Sequence, residues 1–129
     1  MVPVVLHHDT TGAPALTGEA GSLIAVLKWA LPQLGWTLEF EDATNNRAVF
    51  RNNPTAGTGY YLRVRDNAAD HAYGDDRMAA VEGFSNMTDV DTGSDGFPAA
   101  TDSFFLKAPS ADTTLREYTI IGTDTFFWW

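Results

Sequence analysis

The sequence predicts an α+β fold, a mainly antiparallel β-sheet with one N-terminal helix packed on a face. Three observations carry this reading. Leu23, Leu27, Ala30, Leu31 and Leu34 recur at spacings of three and four, and no other segment has a comparable helical period. After the helix the apolar pattern drops to period two and to short β-rich runs separated by turn formers. A chain of 129 residues that is 44% hydrophobic and 19% charged has the length and composition of a single domain with one core.

Taken in order, Val2 to Leu6 reads as a short strand, and the segment from His7 to Pro14 is dense in turn formers. Residues 1–18 thus form a polar lead, suited to lying on a neighbouring molecule instead of on its own core. Ser22 or Thr17 is placed to cap the helix, and Glu19 suits its positive first turn. Pro32 removes a helical hydrogen bond, which predicts a distorted last turn, and Gly35 closes the helix.

Trp36, Leu38 and Phe40 then alternate with Thr37, Glu39 and Glu41, as a half-buried strand requires. Arg47 to Arg51 follows through the turn formers Asn45 and Asn46. Tyr60 to Arg65 places Tyr60, Leu62 and Val64 on one face and Tyr61, Arg63 and Arg65 on the other. Further strands are expected at Met78 to Phe84, Ser103 to Leu106 and Glu117 to Ile121, before the closing run Thr125 to Trp129. Residues 85–102 read as a long acidic loop.

Charge is unevenly distributed within a net of −9. Arg47, Arg51, Arg63 and Arg65 lie in one short stretch without acids, whereas 66–102 is strongly acidic with Arg77 as its only base. A net-acidic chain is a poor general ligand for nucleic acid, because affinity there comes mainly from neutralising phosphates. Two solvated faces are the plainer reading. A basic strip meeting the acidic loop of the next subunit is the sharper one. There is no cysteine, which excludes disulfides, thiol nucleophiles and cysteine-ligated zinc. The apolar stretch from Leu23 to Leu31 is too short to span a bilayer, and Met1 to Leu6 lacks the features of a signal peptide. No membrane partner and a cytosolic place of synthesis are expected.

Candidate chemistry is sparse. Asp89-Val90-Asp91-Thr92-Gly93-Ser94-Asp95-Gly96 spaces its carboxylates like a calcium loop, with Asp91, Asp95 and Asp102 as the ligands such a site would use. Gly93 stands where a third carboxylate belongs, Asp102 stands where a bidentate Glu belongs, and flanking helices are missing. A solvated loop with Asx turns, and no metal site, is therefore expected. His7 and His8 are adjacent and point to opposite faces of a strand, so they suit interface contacts better than chelation of one metal. No Gly-x-Ser-x-Gly elbow and no phosphate loop is present, so no catalytic residue and no cofactor is expected.

The C-terminal aromatics differ. Phe126 and Trp128 share one strand face, and Phe127 and Trp129 share the other, so neither face is polar. Each pair carries ~300–500 Å², which is as large as the biggest apolar patch that a typical monomer exposes. The tail is either a central strand sandwiched within the monomer or a subunit contact. Phe126, Phe127, Trp128, Trp129, Arg63, Arg65, His7 and His8 are the candidate interface residues.

Several stretches together resemble a group of small virion proteins of tailed bacteriophages. They are His8 with Gly12-Ala13-Pro14-x-Leu16-x-Gly18-x-Ala20-Gly21-Ser22-Leu23-Ile24, Trp36-Thr37, Arg47-Ala48-Val49-Phe50-Arg51 and Tyr61-Leu62-Arg63-Val64. Met87-Thr88-Asp89-Val90-Asp91-Thr92-Gly93, Phe97-Pro98 and Thr125-Phe126-Phe127 complete the series. The resemblance spans most of the chain in order, although the inserted domain that some similar proteins carry after the helix is lacking. It implies a structural virion component, assembled in the host cytoplasm, without catalytic residues, in contact with copies of itself and other virion proteins. It leaves open a place on the capsid, neck or tail. The competing expectation is a small module for carbohydrate or a host surface, stacking its ligand on Tyr60, Tyr61, Trp36 or Trp128.

Overall fold

The computed structural model of the chain describes residues 1–71, 73–97 and 103–129. The elements in chain order are β1 (Val4–His7), α1 (Ser22–Gln33), β2 (Thr37–Asp42), β3 (Arg47–Arg51), β4 (Tyr61–Arg65) and β5 (Met78–Phe84). They continue with β6 (Asn86–Met87), β7 (Gly93–Ser94), β8 (Ser103–Leu106), β9 (Thr119–Gly122) and β10 (Phe127–Trp128). The fold is α+β: an antiparallel main sheet β2–β3–β4–β5–β8, a small antiparallel sheet β1–β9–β10, and one helix. A short hairpin, β6 with β7, lies within the acidic loop expected at 85–102.

The helix buries Leu23, Ile24, Val26, Leu27, Ala30 and Leu31. This stripe belongs to one core with Ala48, Phe50, Val64 and Ala79 of the main sheet and Leu6 and Ile120 of the small one. Its start differs from the expectation. Gly21, at φ +81°, occupies the cap position and offers no side chain. Asp66, just past β4, takes over: its Oδ2 accepts the N–H groups of Leu23 at 2.9 Å and Ile24 at 3.4 Å. Ser22 instead donates its hydroxyl to the Thr17 carbonyl, and Thr17 accepts the Glu19 amide ahead of the helix.

Lys107 closes this arrangement, donating from Nζ to Asp66 Oδ1 and to the Glu19 carbonyl, with both charged side chains fully buried. Burial is the largest influence on the Asp66 carboxyl and raises its pKa; the Lys107 charge and the helix amides pull the other way. The pair fastens β4, the helix start and the segment after β8 to one point. At the other end, Gly35 (φ +91°) and Trp36 donate their amides to the carbonyls of Pro32 and Leu31 in a Schellman closure. The helix continues through Pro32 to Gln33.

β2 departs from simple alternation. Leu38 pairs with Phe50 but Phe40 pairs with Val49, so a bulge falls between them. Leu38 therefore shares the helix-side face with Phe50, and Phe40 points to the opposite face. The same shift turns Glu41 toward the helix, where it meets Lys28. A strict period of two would have put Trp36, Leu38 and Phe40 together; one extra residue in the strand divides them.

The lead also packs differently from the expectation of an arm on a neighbour. β1 is a strand of the chain's own small sheet, Leu6 and Leu16 are buried in its own core, and the Pro14 carbonyl accepts the Tyr118 hydroxyl at 2.8 Å. The chain's two ends thus close one sheet between them.

Candidate functional site

Three surfaces hold the residues singled out by the sequence. The first is the outer face of the main sheet, away from the helix. Antiparallel register places Arg47 opposite Arg65, Val49 opposite Arg63 and Arg51 opposite Tyr61, so all four arginines share this face. Like charges side by side on neighbouring strands repel unless acids are interleaved, and the chain supplies those acids itself. Glu82 of β5 pairs with both Arg63 at 2.7 Å and Arg65 at 3.1 Å. Arg47 grips Asp70 through Nε and Nη2, at 2.6 and 2.7 Å, and reaches Asp91 at 3.1 Å. The guanidinium groups of Arg63 and Arg51 also lie over the rings of Phe84 and Tyr61, at 4.9 and 5.0 Å.

The expected pairing of basic strip and acidic loop is therefore present inside one chain. The Arg47 guanidinium holds the Asp70 carboxyl below the usual carboxylate range. Asp91 of the acidic loop sits on Arg47, its carbonyl accepts from Arg63, and the Asp95 carboxylate accepts the Ser85 hydroxyl. Asp89 accepts the amides of Asp91 and Thr92, both at 2.7 Å, in an Asx turn that lowers its pKa. Among the calcium candidates, Asp91 and Asp95 thus have partners within the chain, and Asp102 lies outside the described residues. No group of three or more potential metal ligands converges among the described residues.

The second surface is the outer face of the small sheet. Val5 pairs with Ile121, and Ile121 with Trp128, so these side chains form one row across three strands. They remain 49%, 39% and 65% exposed. Phe126, 41% exposed, extends the row and meets the Trp128 ring edge-on at 4.7 Å. None of β1, β9 or β10 contains an acid, Lys or Arg. His7 lies at the end of the face, with Nδ1 3.0 Å from the Thr119 hydroxyl, and His8 turns to the ring of Tyr118.

The tail accordingly has two sides. Phe127 packs edge-on against Trp36 at 5.4 Å, and Trp129 stacks on Tyr118 and meets Phe105 edge-on, all against the core. Phe126 and Trp128 face outward. The tail is both core and exposed surface, divided by alternation.

The third surface is a cleft of about 470 Å³ between the main sheet and the C-terminal aromatics. Leu62, Val81 and Gly83 contribute from the main sheet, with Trp36, Tyr60, Phe97, Phe126 and Phe127 around them. Phe97 joins by bridging to Gly83 through two backbone hydrogen bonds, at 2.9 and 2.8 Å. Its ring occupies the space that a Gly83 side chain would need, since a Cβ there would lie 2.2 Å from the ring. Gly83 is thus what admits Phe97, a close approach that a glycine inside a strand signals. The polar residues Asn52 and Thr58 are bonded to each other, and Asn52 also donates to the Thr125 carbonyl. The Trp36 indole N–H donates to the Thr123 carbonyl.

Of the residues named as stacking platforms, Trp36 and Tyr60 line the cleft, Tyr61 borders it but turns its ring to Arg51 on the arginine face, and Trp128 lies outside it on the small-sheet face. Phe97, Val5 and Ile121 were not singled out from sequence. Comparison with models of known families, with characterised proteins and with solved structures finds no match. No described helix is long and apolar enough to cross a membrane.

Proposed function

We propose that this chain is a non-enzymatic structural component of a tailed-bacteriophage virion, assembling in multiple copies through contacts with itself and other virion proteins. The phage assignment rests on the ordered resemblance of the motifs from Gly12 to Phe127. The assembly role rests on one observation above all: a chain of net charge −9 leaves an apolar, charge-free row of Val5, Ile121, Trp128 and Phe126 exposed. Exposed apolar patches that are contiguous mark contact surfaces, and the strands that carry this one bring no acid of their own to a contact between acidic copies. The neck, tail and capsid remain equivalent locations in this reading.

Quantitative mass spectrometry of purified phage particles tests it. Recovery of the chain in many copies per particle is the expected result. Its presence in the infected lysate but absence from purified particles would contradict the proposal.

The aromatic cleft favours a second reading, a module that binds carbohydrate or a host surface. Sugars stack on such rings. Glycan-array binding that disappears in Tyr60→Ala would support that reading, and an array without binding would remove it.

A further inference from the structure

The geometry points to Trp128 of one copy docking in the aromatic cleft of a second copy, reciprocally, about a two-fold axis close to Phe126. This deepens the assembly reading and rests on it for the supply of copies. Its first ground is adjacency. Phe126 touches the Trp128 ring on one side and lines the cleft on the other. A projecting ring and a matching hollow, next to each other on one surface, are what a self-complementary two-fold contact needs.

The chemistry of the cleft favours an indole over a sugar. Its volume of about 470 Å³ falls in the ~300–1,000 Å³ range of pockets that hold drug-sized molecules, room enough for an indole. The Asn52 amide and the Thr58 hydroxyl bond each other, and the Trp36 N–H is taken by a carbonyl. A sugar would find rings and the hydroxyl groups of Tyr60 and Ser103, fewer partners than its own hydroxyls need, and an unmatched polar group is costly to bury. Trp128 asks for little more than apolar walls, with its N–H left at the rim.

Charge and area agree with a second copy as the occupant. Among the described residues Glu82 is the only acid or base lining the cleft, and its carboxylate is held by Arg63 and Arg65. The small-sheet strands carry no acid, Lys or Arg, so two copies can approach here without bringing their excess acids together. Trp128, Phe126, Tyr60 and Phe97 are 65%, 41%, 43% and 48% exposed. At ~150–250 Å² per ring, this is roughly 300–500 Å² per copy. With Val5 and Ile121 added, two copies approach the ~1,200 Å² of the smallest specific interfaces. Such an area predicts a weak dimer that depends on concentration.

Sedimentation velocity of the full chain over roughly 1–500 μM, the range suited to a small interface, tests the inference. The expected result is a monomer–dimer equilibrium. Trp128→Ala removes the projecting ring, and Tyr60→Asp places a charge at the hollow. Each weakens the dimer by at least ~30-fold, as the loss of a contact hot spot does. An equal mixture of the two variants regains part of the association, because the Tyr60→Asp copy still has Trp128 and the Trp128→Ala copy still has an intact cleft. Far-UV circular dichroism and melting temperature verify folding, and Phe97→Ser, at the ring that packs against Tyr60 at 5.8 Å, replaces Tyr60→Asp should that variant not fold.

A wild-type dimer that Trp128→Ala leaves intact overturns the inference, as does a mixture with no recovery. A wild type that is monomeric throughout also overturns it. That last result leaves the virion reading standing on contacts with other virion proteins, and that reading falls separately if purified particles lack the chain.

Discussion

The outer faces of the two sheets solve the same problem in opposite ways. Four arginines crowd one face of the main sheet, and the chain answers with Glu82, Asp70 and Asp91 from its own later segments. The outer face of the small sheet has an apolar row, and the described residues supply nothing to cover it. One face is completed within the monomer; the other is left open. Charge is therefore a poor guide to this chain's contacts. The residues that attract attention by their charge are already partnered, and the unfinished surface carries none.

The two sides of the tail give the largest expected effect. Trp129→Ala removes a ring that stacks on Tyr118 and meets Phe105. It should lower stability by about 2–4 kcal/mol, somewhat under the 3–5 kcal/mol of a fully buried Trp, measured by urea unfolding. If Trp129→Ala costs no more than Trp128→Ala, the division of the tail into inner and outer sides is wrong.

Glu82→Ala comes next. It leaves Arg63 and Arg65, both mostly buried, without their shared carboxylate, at about 1–3 kcal/mol. A cost near zero would mean that this face is solvated like any other surface, and the contrast between the two faces would lose its basis.

A smaller effect depends on pH. The native Asp70 carboxyl titrates below its unfolded value because Arg47 binds its charged form. Its contribution to stability is therefore complete above the unfolded pKa and is lost as pH falls through the lowered native one. Asp70→Asn should be less stable than wild type at neutral pH, with the gap closing under acid. A gap that is constant from neutral to acid pH would show that Arg47 does not favour the charged Asp70.

The smallest effect is at Trp128. Trp128→Ala should change monomer stability by no more than about 0.5 kcal/mol, because the ring is mostly exposed and, among the described residues, meets one other ring, that of Phe126, beside its strand neighbour Ile121. A loss of several kcal/mol in dilute solution would turn this outward residue into a core one.

Much of the fold was legible because it is local. The helix announced itself by its period, and the runs Arg47–Arg51, Met78–Phe84 and Ser103–Leu106 became strands with the expected bounds. The inward and outward sides of the tail also followed from alternation. What the sequence hid depends on distant partners. Asp66 caps a helix that begins more than forty positions earlier, and no local pattern marks it. The bulge in β2 is invisible to a period-two reading, because Glu39 looks like any alternating acid.

The candidate site was half legible for the same reason. Trp36, Tyr60 and the tail were singled out as large exposed aromatics. Phe97 joins them only through its bridge to Gly83, and Val5 and Ile121 only through the register of β1, β9 and β10. Gly83 inside the strand Met78–Phe84 was the one local sign of that approach. Charge misled in the other direction: the basic strip and acidic loop invited a contact between subunits, while hairpin folding brought them together within one chain.

In the proposed assembly role, the apolar row, and not the arginine face, is the surface through which copies of this chain meet their neighbours. Incorporation of variants into particles tests it most directly. Trp128→Ala and, as a control on exposed β2, Glu39→Ala are each produced in place of the wild type during phage growth, and their copies per purified particle are counted by mass spectrometry. Glu39→Ala is expected at the wild-type level and Trp128→Ala strongly depleted, although equally stable in solution. Full incorporation of Trp128→Ala would contradict that role.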